Sequence, residues 1–204
     1  MSARIGTDLS GYYRLHAPIY DLTRPLFLFG RSRLVNELAK ASLVQGWRNP
    51  SILEIGCGTG SNLDALSAKF PRSRLVGVDL AAPMLERARA RLAGRAQLVH
   101  GAIGSVPLDG PFDIVLASYM LSMTGAEQDR CIAAARRELA PGGLLGVVDF
   151  HSTPSSGFAN WMALNHVRFD AQLPQRLALG GEVIASDSRR AYGGAWRYFS
   201  WIGH

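Results

Sequence analysis

Lysine is nearly absent from this 204-residue chain. Of its 22 basic residues only Lys40 and Lys69 are lysine, and the other 20 are arginine. Arginine grips anions through a planar two-pronged donor set, so a net charge of +6 carried this way suits anionic partners. No nucleic-acid-binding module is present and aromatics are not interleaved with the basic runs, which argues against nucleic acid. An anionic membrane surface, where each nearby Arg adds about 1 kcal/mol of attraction, is the better expectation. Cysteine is scarce as well: Cys57 and Cys131 make no C-x-x-C pair, which reads as buried thiols in a reducing cytoplasm. His16, His100, His151, His166 and His204 have no metal-ligand spacing, so no metal is expected. No apolar run approaches the ~18 residues of a membrane span, and the first residues lack the apolar core of a secretory leader. Repeats and low-complexity tracts are missing too, and the length fits one domain over 1–204. Cytoplasmic location, with membrane association as an option, is the resulting expectation.

What the chain does have is concentrated in Ser51-Ile-Leu-Glu-Ile-Gly-Cys-Gly-Thr-Gly60. An apolar strand runs into a turn with glycine at 56, 58 and 60, spacing that lets backbone bend sharply and approach a ligand. A dinucleotide fingerprint requires G-x-G-x-x-G, and here the third glycine comes one position early. Glu54, two residues before the first glycine, suits a ligand bearing a cation such as an α-amino group. Farther on, Arg74-Leu-Val-Gly-Val-Asp-Leu80 is a second apolar strand ending in an acid, and Asp79 can accept both hydroxyls of a ribose.

Strand and helix then alternate in short units, which predicts a parallel sheet covered on both faces. Leu63, Leu66 and Phe70 are spaced for a helix over 61–70. Pro83 near the start and Gly94 past the end punctuate another over 81–92. Strands are predicted at 97–100 and 112–118, a helix at 125–139, and a turn at Pro141-Gly-Gly143 before a fifth strand at 144–149. Two further strands, 182–190 and 195–202, are joined through Tyr192-Gly-Gly194.

The glycine turn with its flanking acids, together with Leu139-Ala-Pro-Gly-Gly-Leu-Leu145, resembles the class I S-adenosylmethionine-dependent methyltransferases over 50–202. The resemblance implies a Rossmann-like α/β fold: a doubly wound, seven-stranded, mainly parallel sheet with an antiparallel C-terminal hairpin strand. A helical cover over 1–46 would precede it. By the same resemblance S-adenosylmethionine is the cofactor, leaving as S-adenosylhomocysteine. Gly56, Cys57, Gly58 and Gly60 would line it, Glu54 would hold its amino-acid part and Asp79 its ribose. Leu80 and Met84 would lie beside the adenine. Many relatives carry an acid after strand three, where this chain has Ala102, so adenine contact would fall to backbone and Ile103. Ser118 ends strand four at the same cleft.

Ligands of such sheets bind at the carboxyl ends of the strands, which places Tyr119 and, from strand five, Asp149, Phe150 and His151 toward the acceptor. The segment Tyr20-Asp-Leu-Thr-Arg24 followed by Phe29-Gly-Arg31 resembles bacterial N-methyltransferases that build betaine lipids, and more distantly phosphatidylethanolamine N-methyltransferases. The resemblance implies an amine headgroup of a membrane lipid as acceptor, bound by Tyr12, Tyr13, Arg24, Tyr119 and Phe150. Tyrosines could cradle its cation by cation–π contact, with Asp149, His151 and Tyr20 as catalytic candidates. The alternatives are a soluble small molecule, a quinone precursor, or a regulator that binds the cofactor without turnover. The tyrosines could equally be packing, since Tyr12, Leu15, Ile19 and Leu22 fall at helical spacing.

Overall fold

The computed structural model describes residues 27–204. Seven strands form one sheet in the order β3-β2-β1-β4-β5-β7-β6. They are β1 Ile52–Ile55, β2 Leu75–Asp79, β3 Gln97–His100, β4 Phe112–Ser118, β5 Leu139–Ser152, β6 Val183–Ala191 and β7 Trp196–Gly203. The first five pair parallel, and β7 alone runs against them, pairing with both β5 and β6. This is the doubly wound sheet with an antiparallel hairpin strand that the sequence predicts.

Strand β1 is buried along its whole length. Apart from Glu54 its residues are apolar, as a parallel strand covered on both faces requires. Alternation along it sends Ile52 into one core and Leu53 and Ile55 into the other. On the first face Leu34 and Leu38 of α1 (Arg31–Val44), Leu63 and Leu66 of α2 (Ser61–Lys69) and Leu85 of α3 (Ala82–Leu92) pack together. On the second, Ile132 and Ala135 of α4 (Gln128–Arg137) pack with Leu173 and Leu177 of a later short helix. Helix α1 sits close because β5 offers Gly146 beneath it, where a Cβ would lie 2.7 Å from Leu38 Cδ1. Leu38 is fully buried, so its truncation to alanine costs about 3 kcal/mol.

Several boundaries differ from expectation. The helix predicted over 125–139 is two 3₁₀ turns (Leu121–Met123 and Gly125–Glu127) followed by α4, which ends at Arg137. The turn at Pro141–Gly143 lies inside β5. Phe112 pairs with Leu139 and the ladder resumes at Ile114 with Leu144, so the intervening residues bulge out with Gly142 at φ +73°. Residues 153–181 carry no clear periodic pattern. They hold α5 (Ser156–Leu164), whose N-cap Ser155 accepts from Phe158 N, and α6 (Leu173–Ala178) with Pro174 in its first turn.

Candidate active site

Strand order reverses between β1 and β4, since β2 lies on one side of β1 and β5 beyond β4. The crevice outside their carboxyl ends is where ligands of such sheets bind. Gly56, Gly58 and Gly60 occupy this spot at φ +65°, +54° and +75°. Side chains are strained in that region of backbone space, and at Gly56 a Cβ would lie 2.8 Å from Met120 Cβ. The turn is tied to β2 by Gly56 N and Cys57 N, which donate to Val78 O at 2.8 and 3.2 Å, and it closes on itself through Gly60 N donating to Cys57 O at 2.9 Å. Gly60 then caps α2, leaving the first N–H groups of that helix directed into the crevice.

The two acids hold this loop from either side. Asp79 Oδ2 accepts from Gly58 N at 2.7 Å and Oδ1 from Ala81 N at 2.8 Å. A carboxylate offers about four lone-pair sites, a donor-free set of the kind that ribose hydroxyls bond to. Glu54 is buried, and its Oε1 accepts from Asn62 Nδ2 at 2.7 Å. The Asn62 carbonyl in turn accepts from Arg31 Nε at 3.1 Å, and Arg31 also donates to Ser61 Oγ. A buried anion beside a helix N-terminus is well matched to the ammonium and carboxylate of an amino-acid moiety. Leu80 is exposed next to Asp79, Met84 is buried beneath it, and Ile103 packs at the edge of the second core. The loop after β3 is drawn in by Gly101 N donating to Asp79 O, with Ala102 O accepting from Ser105 N.

The other wall is built of rings. Tyr119, the residue after β4, has φ +54°, a conformation costing a bulky side chain roughly 1–2 kcal/mol. Its hydroxyl donates to Phe29 O at 2.7 Å, and its ring meets Phe150 edge-on at 4.7 Å. Burial pushes this phenol well above its ordinary titration range. Phe150 contacts Phe169, Phe169 contacts Phe158, and Phe158 stacks on Trp196 at 5.5 Å. Phe29 adds contacts to Tyr192, Trp196 and Tyr198. Two buried donors here, Ser118 Oγ and Trp196 Nε1, have no hydrogen-bond partner among the described residues.

Asp149 is fully buried, pinning the turn after β4: its carboxylate accepts from Ser122 N at 3.0 Å and from Phe150 N at 2.8 Å. Burial pushes its pKa up to about 6, against the downward pull of those hydrogen bonds. His151 is the extra residue of a bulge, because Phe150 pairs with Tyr198 and Ser152 with Arg197. The bulge leaves the His151 ring edge-on to Phe199 of the second core, with centroids 6.4 Å apart. Burial, and then the Arg197 charge, hold the imidazole below its ordinary pKa, so it is neutral at pH 7. Its Nδ1 lies 3.0 Å from Ser152 Oγ.

Thus the structure gathers Glu54, Gly56, Cys57, Gly58, Gly60, Asp79, Leu80 and Met84 along one side of the crevice, and Ser118, Tyr119 and Phe150 on the other. Tyr12, Tyr13, Tyr20 and Arg24 lie outside the described residues. Sequence reasoning had Arg31 only as part of the Phe29-Gly-Arg31 motif and missed Asn62, Phe158 and Trp196, which reach the site from separate elements. Among the described residues no cluster of His, Cys, Asp or Glu could hold a metal ion, and no helix is long and apolar enough to cross a membrane.

The family model described as "Methyltransferase domain" matches residues 52–143. A demethylmenaquinone methyltransferase of Thermus thermophilus is 31% identical over 192 residues, covering 89% of this chain and 78% of that protein. A trans-aconitate 2-methyltransferase of Paracidovorax citrulli is 33% identical over 137 residues, 63% of this chain and 48% of the relative, so the chain spans about half that protein's length. Among solved structures, the 1,6-didemethyltoxoflavin-N1-methyltransferase of Burkholderia thailandensis, with bound 1,6-didemethyltoxoflavin and S-adenosylhomocysteine, matches at a TM-score of 0.71. That match covers 98% of this chain and 86% of the other at 16% identity, a likeness of fold.

Proposed function

This chain belongs to the S-adenosylmethionine-dependent methyltransferases, and from that membership we propose that its acceptor is a small aromatic molecule of the quinol type. The observation that carries the reading is the ring wall of Tyr119, Phe150, Phe158, Phe169 and Trp196, which suits a flat apolar acceptor better than a tricarboxylate. The quinone-acting relative, matched over most of both chains, points the same way.

Bound S-adenosylmethionine supplies a methyl group on a positively charged sulfur. The chain's own residues do the rest. Glu54, the glycine turn and Asp79 hold the cofactor, while the rings orient the acceptor and keep water out. Methyl transfer would leave the acceptor with a proton to lose, and a residue of this chain would have to take it up. Neutral His151 receives it. Asp149 contributes by fixing the turn after β4.

The amine-headgroup reading rests on a motif whose described part does other things here. Phe29 packs among Tyr192, Trp196 and Tyr198, and Arg31 bonds Asn62. The relatives named above act on a quinone precursor and on trans-aconitate, which favours the quinone alternative over a lipid amine. Contact with an anionic membrane is part of that second reading. Purified protein supplied with labelled S-adenosylmethionine and either a demethylated quinol or phosphatidylethanolamine vesicles separates the two. Label in the quinol supports the proposal; label only in the phospholipid overturns it.

A further inference from the structure

The segment from Phe29 to Arg31 crosses the crevice from one strand end to the other. On the β4 side the Tyr119 hydroxyl donates to Phe29 O at 2.7 Å. Gly30 follows at φ +81°, seated so closely that a Cβ there would lie 2.5 Å from Tyr198 Cε2. Its carbonyl accepts from Leu34 N and so starts α1. On the β1 side Arg31 donates to Asn62 Oδ1 and Ser61 Oγ, and Asn62 donates to Glu54. A continuous run of bonded groups therefore joins the end of β4 to the cofactor acid at the end of β1.

We propose that Tyr119 is a positioning residue for the cofactor: its hydroxyl clasps Phe29 and thereby sets Arg31 onto Asn62 and Glu54. The tyrosine stands on the acceptor wall, yet its hydroxyl acts on the opposite side of the crevice. Its left-handed backbone is the local cost of aiming the hydroxyl at a carbonyl 90 residues away in sequence. Strain held by tight packing on both sides marks a position whose geometry is functional rather than incidental.

Calorimetric binding of S-adenosylhomocysteine tests this independently of which acceptor is used. Tyr119→Phe keeps the ring and removes only the hydroxyl, and a neutral hydrogen bond lost in this way predicts a dissociation constant raised about 3–10-fold. Arg31→Lys retains charge but loses the planar fork, and also weakens binding. In the double variant the two losses do not add, because each breaks the same clasp. Thermal unfolding run on the same samples distinguishes a loosened clasp from a loosened fold. The proposal is overturned by a Tyr119→Phe protein that binds within twofold of wild type, by strictly additive losses, or by weaker binding that follows only from a lower melting temperature.

Discussion

The two walls of the crevice are made of different materials. The wall we assign to the cofactor, residues 52–81, is made of backbone: glycines at positive φ, amides donated to Asp79, and a helix N-terminus. The acceptor wall is made of side chains, rings drawn from the segment before α1, β4, β5, α5, β7 and the loop between α5 and α6. A backbone site tolerates few substitutions but fixes one ligand geometry, as a cofactor common to many enzymes requires. A site of packed rings can be remade one side chain at a time while the sheet stays as it is. The division lets one fold keep its cofactor and change its acceptor.

The sharpest way to break this contrast is on the cofactor wall. Glu54→Ala is expected to weaken S-adenosylhomocysteine binding by about 100-fold or more, since a buried charged contact and its Asn62 partner are lost together. Isothermal calorimetry reads it, and near-normal affinity would undo the assignment of that wall. On the face of β5 opposite the rings, Asp149 links stability to pH. Its folded pKa of about 6 lies above its ordinary 3.8, so its stabilising share is present below pH ~4 and is lost as pH rises through 6. Relative to Asp149→Asn, the wild type should lose about 2 kcal/mol in urea unfolding between pH 4 and 7. A constant difference across that range would show the carboxyl to be ionised throughout.

His151→Ala should lower kcat about 100-fold and leave S-adenosylhomocysteine affinity within twofold. With His151 as proton acceptor, the acid limb of the wild-type kcat profile falls below the usual histidine midpoint of ~6.5, in the direction its burial and Arg197 dictate. A limb at or above that value would assign the proton elsewhere. The smallest effect belongs to Phe158→Ala, which removes one ring of the wall. Acceptor KM should rise about 3–10-fold with cofactor binding unchanged, and a change in both would mean that the walls are not separable.

Legibility from sequence follows the same division. The glycine turn, Glu54 and Asp79 could be read directly, because a strand, its turn and the next strand's terminal acid are neighbours along the chain. Strands 97–100 and 112–118 were found at their observed limits for the same reason. The pairing of Arg31 with Asn62 and the place of Trp196 could not be read. Arg31 and Asn62 meet across 31 residues, and Trp196 joins Phe158 from a strand on the far side of β5. The bulge that re-aims His151 depends on the register between β5 and β7, which no local pattern encodes. The helix limit at Arg137 was obscured because Leu139 fits a helical stripe as well as a strand.

The position of β7 also constrains how this molecule is made. It lies between β5 and β6 but is synthesised after both. Until it arrives, β5 presents an open ladder and β6 has no strand to join, so β7 completes the sheet by adding at the β5 edge with β6 outermost. During translation that open ladder is the surface most exposed to pairing with another nascent chain. The early emergence of the cofactor wall, and the late completion of the acceptor wall through Trp196 and Tyr198, put the two halves of the crevice under different timing in the cell.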